Sequence, residues 1–226
     1  MSKRTALIAG ATGLVGGHCL DRLCADDGYA RVIALTRRDL GRRHDKIQVL
    51  TVDFDRLRDH RDDLVADDVY LCLGTTIKKA GTQRRFREVD YGYNLAVAQA
   101  AQLGGAKQIM LVSSVGASPK ARTFYLKVKG ELETAISMLP FRAHHVFRPS
   151  ALLGDRPQRR PLESVGSAVI RAASFTMVGG LRRFRPIHAR TVAHAMVAAA
   201  LMPEQPGSHI YHWSQIRALA EETRTS

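Results

Sequence analysis

Short apolar runs alternate with segments of helical periodicity along the first 150 residues of this 226-residue chain. The runs are rich in β-branched side chains and predict six buried strands: Ala6–Ala9, Arg31–Thr36, Ile47–Thr51, Val69–Leu73, Lys107–Ser113 and Arg142–Arg148. Apolar positions three and four residues apart predict helices over Leu14–Cys24, Thr82–Leu103 and Thr123–Leu139. Continuous apolar strands that alternate with helices predict an α/β fold, a Rossmann-like doubly wound parallel sheet covered on both faces.

The pattern loosens after residue 150. We expect a basic loop over Asp155–Pro161 and helices over Leu162–Ala173 and Thr191–Leu201, then a late strand over Ser208–His212 and a terminal helix from Ser214. The sequence thus predicts a single domain over residues 1–226. In it, residues 1–150 form the core and residues 151–226 form a small C-terminal cap.

Composition excludes several classes of protein. No apolar stretch approaches the roughly 20 residues that span a bilayer, and no segment resembles a secretory leader. The three cysteines fit reduced thiols, so we expect a cytoplasmic protein. The net charge is +13, and 26 of the 34 basic residues are arginine, which favours an anionic partner without choosing one.

A glycine-rich turn follows the first predicted strand, in the order Gly10-Ala-Thr-Gly13-Leu-Val-Gly16. The first glycine permits a tight turn, the second lets backbone approach a pyrophosphate, and the third lets the helix pack closely on the strand. The helix N-terminus presents free N–H groups to the phosphates. We therefore expect residues 1–150 to bind a dinucleotide, through Gly10, Thr12, Gly13, Leu14, Val15 and Gly16.

The end of the second strand indicates which dinucleotide. Arg37 and Arg38 stand where an NAD-preferring site usually places a carboxylate, and two guanidiniums suit a 2′-phosphate, so NADP(H) is the predicted cofactor. An Arg-rich solvated loop is the alternative interpretation. By their position after the third and fourth strands, we also expect cofactor contacts from Asp53, Phe54, Leu73, Gly74 and Thr75.

A candidate catalytic set follows the fifth strand. Tyr125 and Lys129 lie four apart on a predicted helix and therefore share a face. A nearby ammonium favours the phenolate and makes a tyrosine usable as an acid or base. Ser114, at the carboxyl end of the strand, would hydrogen-bond the substrate oxygen.

Longer motifs identify a family resemblance. They include Cys72-Leu-Gly-Thr-Thr76, Val89-Asp90, Ser113-Ser114, Tyr125-Leu-x-Val-Lys129-Gly-Glu131 and Phe147-Arg148-Pro149. The chain resembles the short-chain dehydrogenase/reductase superfamily, and in particular its atypical Tat-interacting-protein-type reductases, over roughly residues 5–200. The resemblance implies NADPH binding and catalysis by Ser114, Tyr125 and Lys129. We expect Ser113, Tyr125, Lys129, Arg148, Pro149 and Ser150 also to contact the cofactor, and Arg185–His188 to help shape the substrate side.

The predicted function is an NADP(H)-dependent oxidoreductase that acts on a small carbonyl or alcohol. The alternative is an NADP(H)-sensing regulatory protein, non-catalytic or weakly catalytic, that binds a protein partner. Nucleic-acid binding is disfavoured because the arginines are dispersed and no reader motif is present. No His/Cys pattern indicates a metal site. Asn94 is a weaker candidate for a structural or proton-relay role.

Overall fold

A computed structural model describes residues 3–154, 179–203 and 206–222. Its strands are β1 Arg4–Ala9, β2 Tyr29–Thr36, β3 Ile47–Thr51, β4 Asp68–Leu71, β5 Gln108–Val112, β6 Ala143–Phe147, β7 Leu152–Leu153, β8 Ile187–His188 and β9 Gly207–Tyr211. Its α-helices are α1 Leu14–Ala25, α2 Ile77–Ala80, α3 Gln83–Arg87, α4 Asn94–Leu103, α5 Phe124–Ser137, α6 Ala189–Leu201 and α7 Trp213–Glu222. Segments Phe54–Leu64 and Gly179–Phe184 are 3₁₀-helical, and Glu88–Tyr93 is π-helical.

Seven of the described strands form one parallel sheet, in the order β3-β2-β1-β4-β5-β6-β9. The chain leaves β1 in one direction along the sheet and returns to its other side at β4, so these two strands flank the switch point. Ala9 pairs with Leu71, and the two strands therefore end side by side. Ligands of open α/β sheets bind outside the carboxyl ends of the strands at such a point, so the fold places the site there.

Both faces of the sheet are buried along its central strands, β1, β2 and β4 to β6, which explains their continuous apolar sequences. Along β1, Ala6 and Ile8 pack into a core formed with α1, α6 and α7. Leu7 and Ala9 point to the opposite face and pack into a second core formed with α4 and α5. Alternation of side chains along a strand requires apolar residues at every position when both faces are covered.

The predicted doubly wound parallel sheet is confirmed. Each predicted strand matches an observed one to within two residues at either end. The predicted helix Thr82–Leu103 is wrong in detail, because it consists of α3, the π-helical segment and α4 in succession. The C-terminal segment adds more than a cap: β9 extends the main sheet beside β6, and α6 packs in the core against α1.

The predicted loop 155–161 and helix 162–173 lie outside the described residues. The division of the chain into a core over residues 1–150 and a substrate-side segment over residues 151–226 stays a prediction.

A buried polar network ties the amino ends of the strands together, at the edge opposite the site. The fully buried carboxylate of Asp68 accepts hydrogen bonds from Arg4 Nη2 at 2.7 Å, Tyr29 Oη at 2.6 Å and Gln108 Nε2 at 3.3 Å. Gln108 Oε1 lies 3.2 Å from Nε2 of His145. Burial, and then the charge of Asp68, raises the pKa of Tyr29 well above its ordinary value. The network thus buries the carboxylate of Asp68 in an ion pair with Arg4 and keeps the phenol of Tyr29 neutral.

Candidate active site

The glycine loop fits its turn only with glycines at the first and third positions. Gly10 has a φ of +92°, and a Cβ there would lie 2.5 Å from the carbonyl carbon of Cys72, at the end of β4. A Cβ at Gly16 would lie 2.1 Å from the carbonyl oxygen of Gly10. The loop, the start of α1 and the end of β4 are therefore in direct backbone contact. This agrees with the packing role that the motif predicts for its third glycine.

The N-terminus of α1 is open to an anion. Gly13 is the N-cap, no side chain caps the helix, and Thr12 and Gly13 are exposed. The first-turn N–H groups, which begin at Leu14 and Val15, therefore have no side-chain acceptor among the described residues. Uncapped N–H groups and the positive end of the helix dipole suit a phosphate. A glycine cradle of this shape fits a dinucleotide, although the contacts of its individual residues stay a prediction.

The arginines after β2 are available to a ligand. Arg37 and Arg38 are both exposed, and neither has an ion-pair partner within the described ranges. After β3, the Asp53 carboxylate accepts a hydrogen bond from Asp55 N at 3.1 Å and so caps the 3₁₀ segment. Phe54 is buried and its ring stacks on Tyr93 with centroids 5.1 Å apart. The Phe54 side chain thus belongs to the core, and its contact with the cofactor stays a prediction.

The loop after β4 is held by a carboxylate from the π-helical segment. Thr75 N donates to Asp90 Oδ2 at 2.8 Å, and Asn94 Nδ2 donates to the carbonyl oxygen of Leu73 at 3.3 Å. A Cβ at Gly74 would lie 3.5 Å from Asp90 Oδ1 and 4.0 Å from Lys129 Nζ. This loop therefore passes directly over the lysine of the candidate catalytic set.

Lys129 is a buried cation with a buried counter-ion. Its side chain is 6% exposed and that of Asp90 is 1% exposed, and Nζ lies 2.9 Å from Asp90 Oδ1. Burial opposes the charge on Lys129, but the attraction of Asp90, followed by that of Tyr125, outweighs this effect. The pKa of Lys129 therefore lies above its ordinary value. The ammonium remains charged across the physiological pH range.

Tyr125 and Ser114 both reach this region. Tyr125 is 37% exposed, its ring meets Phe86 edge-on with centroids 5.8 Å apart, and it interacts electrostatically with Lys129 one turn along α5. Ser114 is half-buried just beyond β5, and among the described residues its hydroxyl makes only a long 3.5 Å hydrogen bond, to Val115 O. Both hydroxyls are thus available to a ligand. Their catalytic roles stay predictions.

Three predicted cofactor residues have side chains that are engaged elsewhere. Glu133, one turn beyond Lys129, accepts hydrogen bonds from Ser113 Oγ and, as an ion pair, from the Arg148 guanidinium. Ser150 Oγ donates to the carbonyl oxygen of Arg185. Ser113 and Arg148 thus tie the ends of β5 and β6 to α5, and Ser150 ties its loop to Arg185. Their contacts with the cofactor stay a prediction.

Pro149 also has a role within the fold. Its ring is buried, and its carbonyl oxygen accepts a hydrogen bond from Val115 N at 2.9 Å. It therefore secures the loop that carries Ser114.

Sequence reasoning missed three residues that build the site. Asp90 and Glu133 supply carboxylates. Gly130 lets the loop that carries Ser114 lie directly on α5, because a Cβ at Gly130 would sit 2.1 Å from the carbonyl carbon of Ser118. Gly130 and Asp90 both stand in the motifs that carry the family resemblance. The motifs marked their positions, but the periodicity of the helices gave no sign of their contacts.

A Rossmann-type sheet with a glycine loop at its switch point and a Tyr-x-x-x-Lys helix beside it defines an NAD(P)-dependent oxidoreductase fold. Residues 6–212 match the NAD dependent epimerase/dehydratase family, and the chain belongs to that family. The chain is 35% identical to Protein FMP52, mitochondrial, of Candida albicans over 85% of its own length and 86% of that protein. It is 36% identical to Protein HTATIP2 of Rattus norvegicus over 72% and 69% of the two lengths. The predicted membership among atypical short-chain reductases is thus confirmed.

Solved structures show the same fold at low identity. MoeE5 in complex with UDP-glucuronic acid and NAD superposes with a TM-score of 0.68 and 18% identity, covering 97% of this chain and 82% of that one. The Bordetella bronchiseptica enzyme WbmG in complex with NAD and UDP gives a TM-score of 0.68 and 13% identity, covering 93% and 73%. Both of those proteins are in complex with NAD, and at these identities the likeness shows the shared fold.

The expected cytoplasmic location is wrong. The FMP52 relatives of Candida albicans, Candida glabrata and Eremothecium gossypii are named as mitochondrial proteins. Reduced cysteines fit either location, because they exclude only an oxidising compartment.

Within residues 3–154, 179–203 and 206–222, no helix is long and apolar enough to cross a membrane.

Proposed function

We propose that this protein is an NADP(H)-dependent oxidoreductase that interconverts a small carbonyl compound and its alcohol. The observation that carries the proposal is the buried, charged Lys129 one helical turn from the exposed phenol of Tyr125, at the edge where the glycine loop opens. A sensor protein needs a dinucleotide cradle but does not need a charged lysine buried beside a tyrosine. The arrangement therefore favours turnover over sensing.

The residues of the site divide between binding and proton transfer. The glycine loop and the start of α1 would hold the pyrophosphate, and the bound nicotinamide would supply or accept the hydride. Tyr125 would donate a proton to the carbonyl oxygen during reduction and take it back during oxidation. Lys129 stabilises the phenolate through its charge, and Ser114 orients the substrate oxygen.

A screen of carbonyl compounds and alcohols, followed by absorbance in the NADPH band, tests this function. Tyr125→Phe is the control, because it removes the proton but keeps the ring against Phe86. We expect the variant to bind NADPH with wild-type affinity and to lose at least 100-fold in turnover, the usual contribution of general acid–base catalysis at about 10²–10⁴. Full activity of Tyr125→Phe on a genuine substrate would contradict the mechanism. Tight NADPH binding with no turnover on any compound would instead support the regulatory protein.

The choice of NADP(H) rests on the two exposed arginines after β2. Arg37→Ala/Arg38→Ala should raise the Kd for NADPH at least tenfold, or about 1.4 kcal/mol, and leave that for NADH within twofold. The matched control is Lys107→Ala/Arg142→Ala, which removes the same charge at the opposite edge of the sheet, just before β5 and β6. Equal losses for both cofactors, or for both double variants, would refute the assignment.

A further inference from the structure

Asp90 occupies an unusual place for a carboxylate. It is 1% exposed and lies in the π-helical segment Glu88–Tyr93, between α3 and α4. π-Helical turns are rare and often mark functional positions, because the extra residue redirects a side chain that a regular helix would place elsewhere. Here the redirected side chain reaches both the loop after β4 and α5.

The two carboxylate oxygens of Asp90 have separate partners. Oδ1 lies 2.9 Å from the ammonium of Lys129, and Oδ2 accepts the backbone N–H of Thr75 at 2.8 Å. Gly74, beside Thr75, also lies next to this carboxylate, since a Cβ there would be in ordinary contact with Oδ1 at 3.5 Å. Asp90 thus connects the lysine of the catalytic set to the loop that is expected to contact the cofactor.

We propose that Asp90 is a positioning residue that holds the Lys129 ammonium charged and in place, and couples it to the loop Leu73–Thr75. This inference rests on the proposed function, since it gives Lys129 a catalytic task. Asp90 does not touch the reacting atoms. It acts through Lys129 and through the backbone of Thr75.

The surroundings of Lys129 leave this task to Asp90. Among the described residues, the charged or titratable groups that act most strongly on its ammonium are Asp90 from the π-helical segment and Tyr125 and Glu133 from its own helix. Glu133 is occupied by Ser113 and Arg148. Without Asp90, burial would therefore act on Lys129 with no carboxylate in contact, and would favour the neutral amine.

The helix around Asp90 is itself secured. Asn94, which is fully buried, donates from Nδ2 to the carbonyl oxygens of Asp90 at 3.1 Å, Val89 at 3.3 Å and Leu73 at 3.3 Å. The amide therefore joins the widened turn to the same loop that Thr75 belongs to. This contact gives Asn94 a structural task and explains how the π-helical turn keeps Asp90 in register.

Asp90→Asn separates the charge of the residue from its shape. An asparagine oxygen can still accept from Thr75 N, but it offers no negative charge to Lys129. Asp90→Ala removes both partners. We expect Asp90→Asn to lower kcat at least tenfold with the KM for the cofactor within twofold. Asp90→Ala should lower kcat similarly and also raise the cofactor KM at least threefold.

Titration of Lys129 tests the proposal without any substrate. In the full-length protein labelled with ¹⁵N at the lysine side chains, the Lys129 signal is assigned by its absence in Lys129→Arg. Of the eight lysines, Lys129 should deprotonate last in the wild type. In Asp90→Asn its midpoint should fall by at least one pH unit. The matched control is Glu88→Gln, which removes a half-buried carboxylate from the same π-helical segment. The Glu88 carboxylate pairs with Arg85 and accepts a hydrogen bond from Tyr93, and it makes no ion pair with Lys129. It should leave the Lys129 midpoint unchanged.

The outcomes separate the two claims. If Lys129 deprotonates before the other lysines in the wild type, the proposal is overturned, and this measurement requires no variant of Asp90 to fold. It is equally overturned if Asp90→Asn, with a wild-type thermal midpoint, leaves both the Lys129 titration and kcat unchanged. A shifted titration in a protein that turns over no substrate would uphold the coupling of Asp90 to Lys129 and refute the oxidoreductase function alone.

Discussion

Adjacent glycines at the start of α1 should respond in opposite directions to the same substitution. A methyl group at Gly16 would lie 2.1 Å from the carbonyl oxygen and 2.7 Å from the carbonyl carbon of Gly10, both of them backbone atoms that no rotamer change can move. At Gly17 the nearest atom is Ala11 O at 3.5 Å, an ordinary contact. Gly17→Ala therefore adds a good helix former without a clash, whereas Gly16→Ala must push α1 away from the loop.

The expected magnitudes follow from these contacts. Overpacking against rigid surroundings costs about 1–3 kcal/mol, and Gly→Ala within a helix gains about 0.5–1 kcal/mol. The two variants should thus differ by about 3 kcal/mol, which for a protein of this size is a difference in Tm of about 6–12 °C.

Thermal unfolding followed by circular dichroism, together with NADPH titration, measures both consequences. Gly16→Ala should melt below the wild type and bind NADPH at least tenfold more weakly, because its clash displaces the phosphate-facing turn. Gly17→Ala should melt at or above the wild-type temperature with unchanged binding. If Gly16→Ala were as stable as Gly17→Ala and bound the cofactor normally, the close backbone contact between Gly16 and Gly10 would be refuted.

Other predictions concern the edge of the sheet opposite the site. Asp68→Asn should lower the free energy of unfolding by about 3–5 kcal/mol in urea titrations, because Arg4 loses its buried counter-ion; a loss below about 1 kcal/mol would show that water replaces it. Burial, and then the charges of His209 and His144, lowers the pKa of His145 from 6.5 to about 4. On acidification the unfolded chain therefore binds this proton first, and the free energy of unfolding should fall between pH 6.5 and 4 by up to about 3 kcal/mol. His145→Gln should flatten that part of the urea-measured pH profile, and an unchanged slope would exclude His145 as its source.

The sheet was predictable because its central strands, β1, β2 and β4 to β6, are covered on both faces. Such strands read as continuous apolar runs, and the glycine motif identified which turn faces the site. Boundaries shifted where polar residues are buried in pairs: β2 begins at Tyr29 and β4 at Asp68, which hydrogen-bond each other. The hydrophobic pattern of one strand does not reveal a hydrogen-bond partner that lies on another strand.

The candidate site was predictable only in part, for a related reason. Tyr125 and Lys129 share a helix, so their spacing places them together. Asp90 lies 39 residues before Lys129 and reaches it from a π-helical turn on another segment, so no spacing along the sequence places the two together. The tasks of Ser113 and Arg148 were obscured likewise, because their common partner Glu133 lies on a separate helix.

The central claim is that Tyr125 and Lys129 serve hydride chemistry, and isotope transfer tests it most directly. NADPH carrying deuterium at the transferred position of its nicotinamide is incubated with the wild type and a carbonyl substrate from the screen, and the alcohol is examined by mass spectrometry. We predict one deuterium per alcohol with the wild type and no labelled alcohol above background with Tyr125→Phe, which still binds NADPH. Unlabelled alcohol from the wild type, or equal labelling by both proteins, would contradict the account.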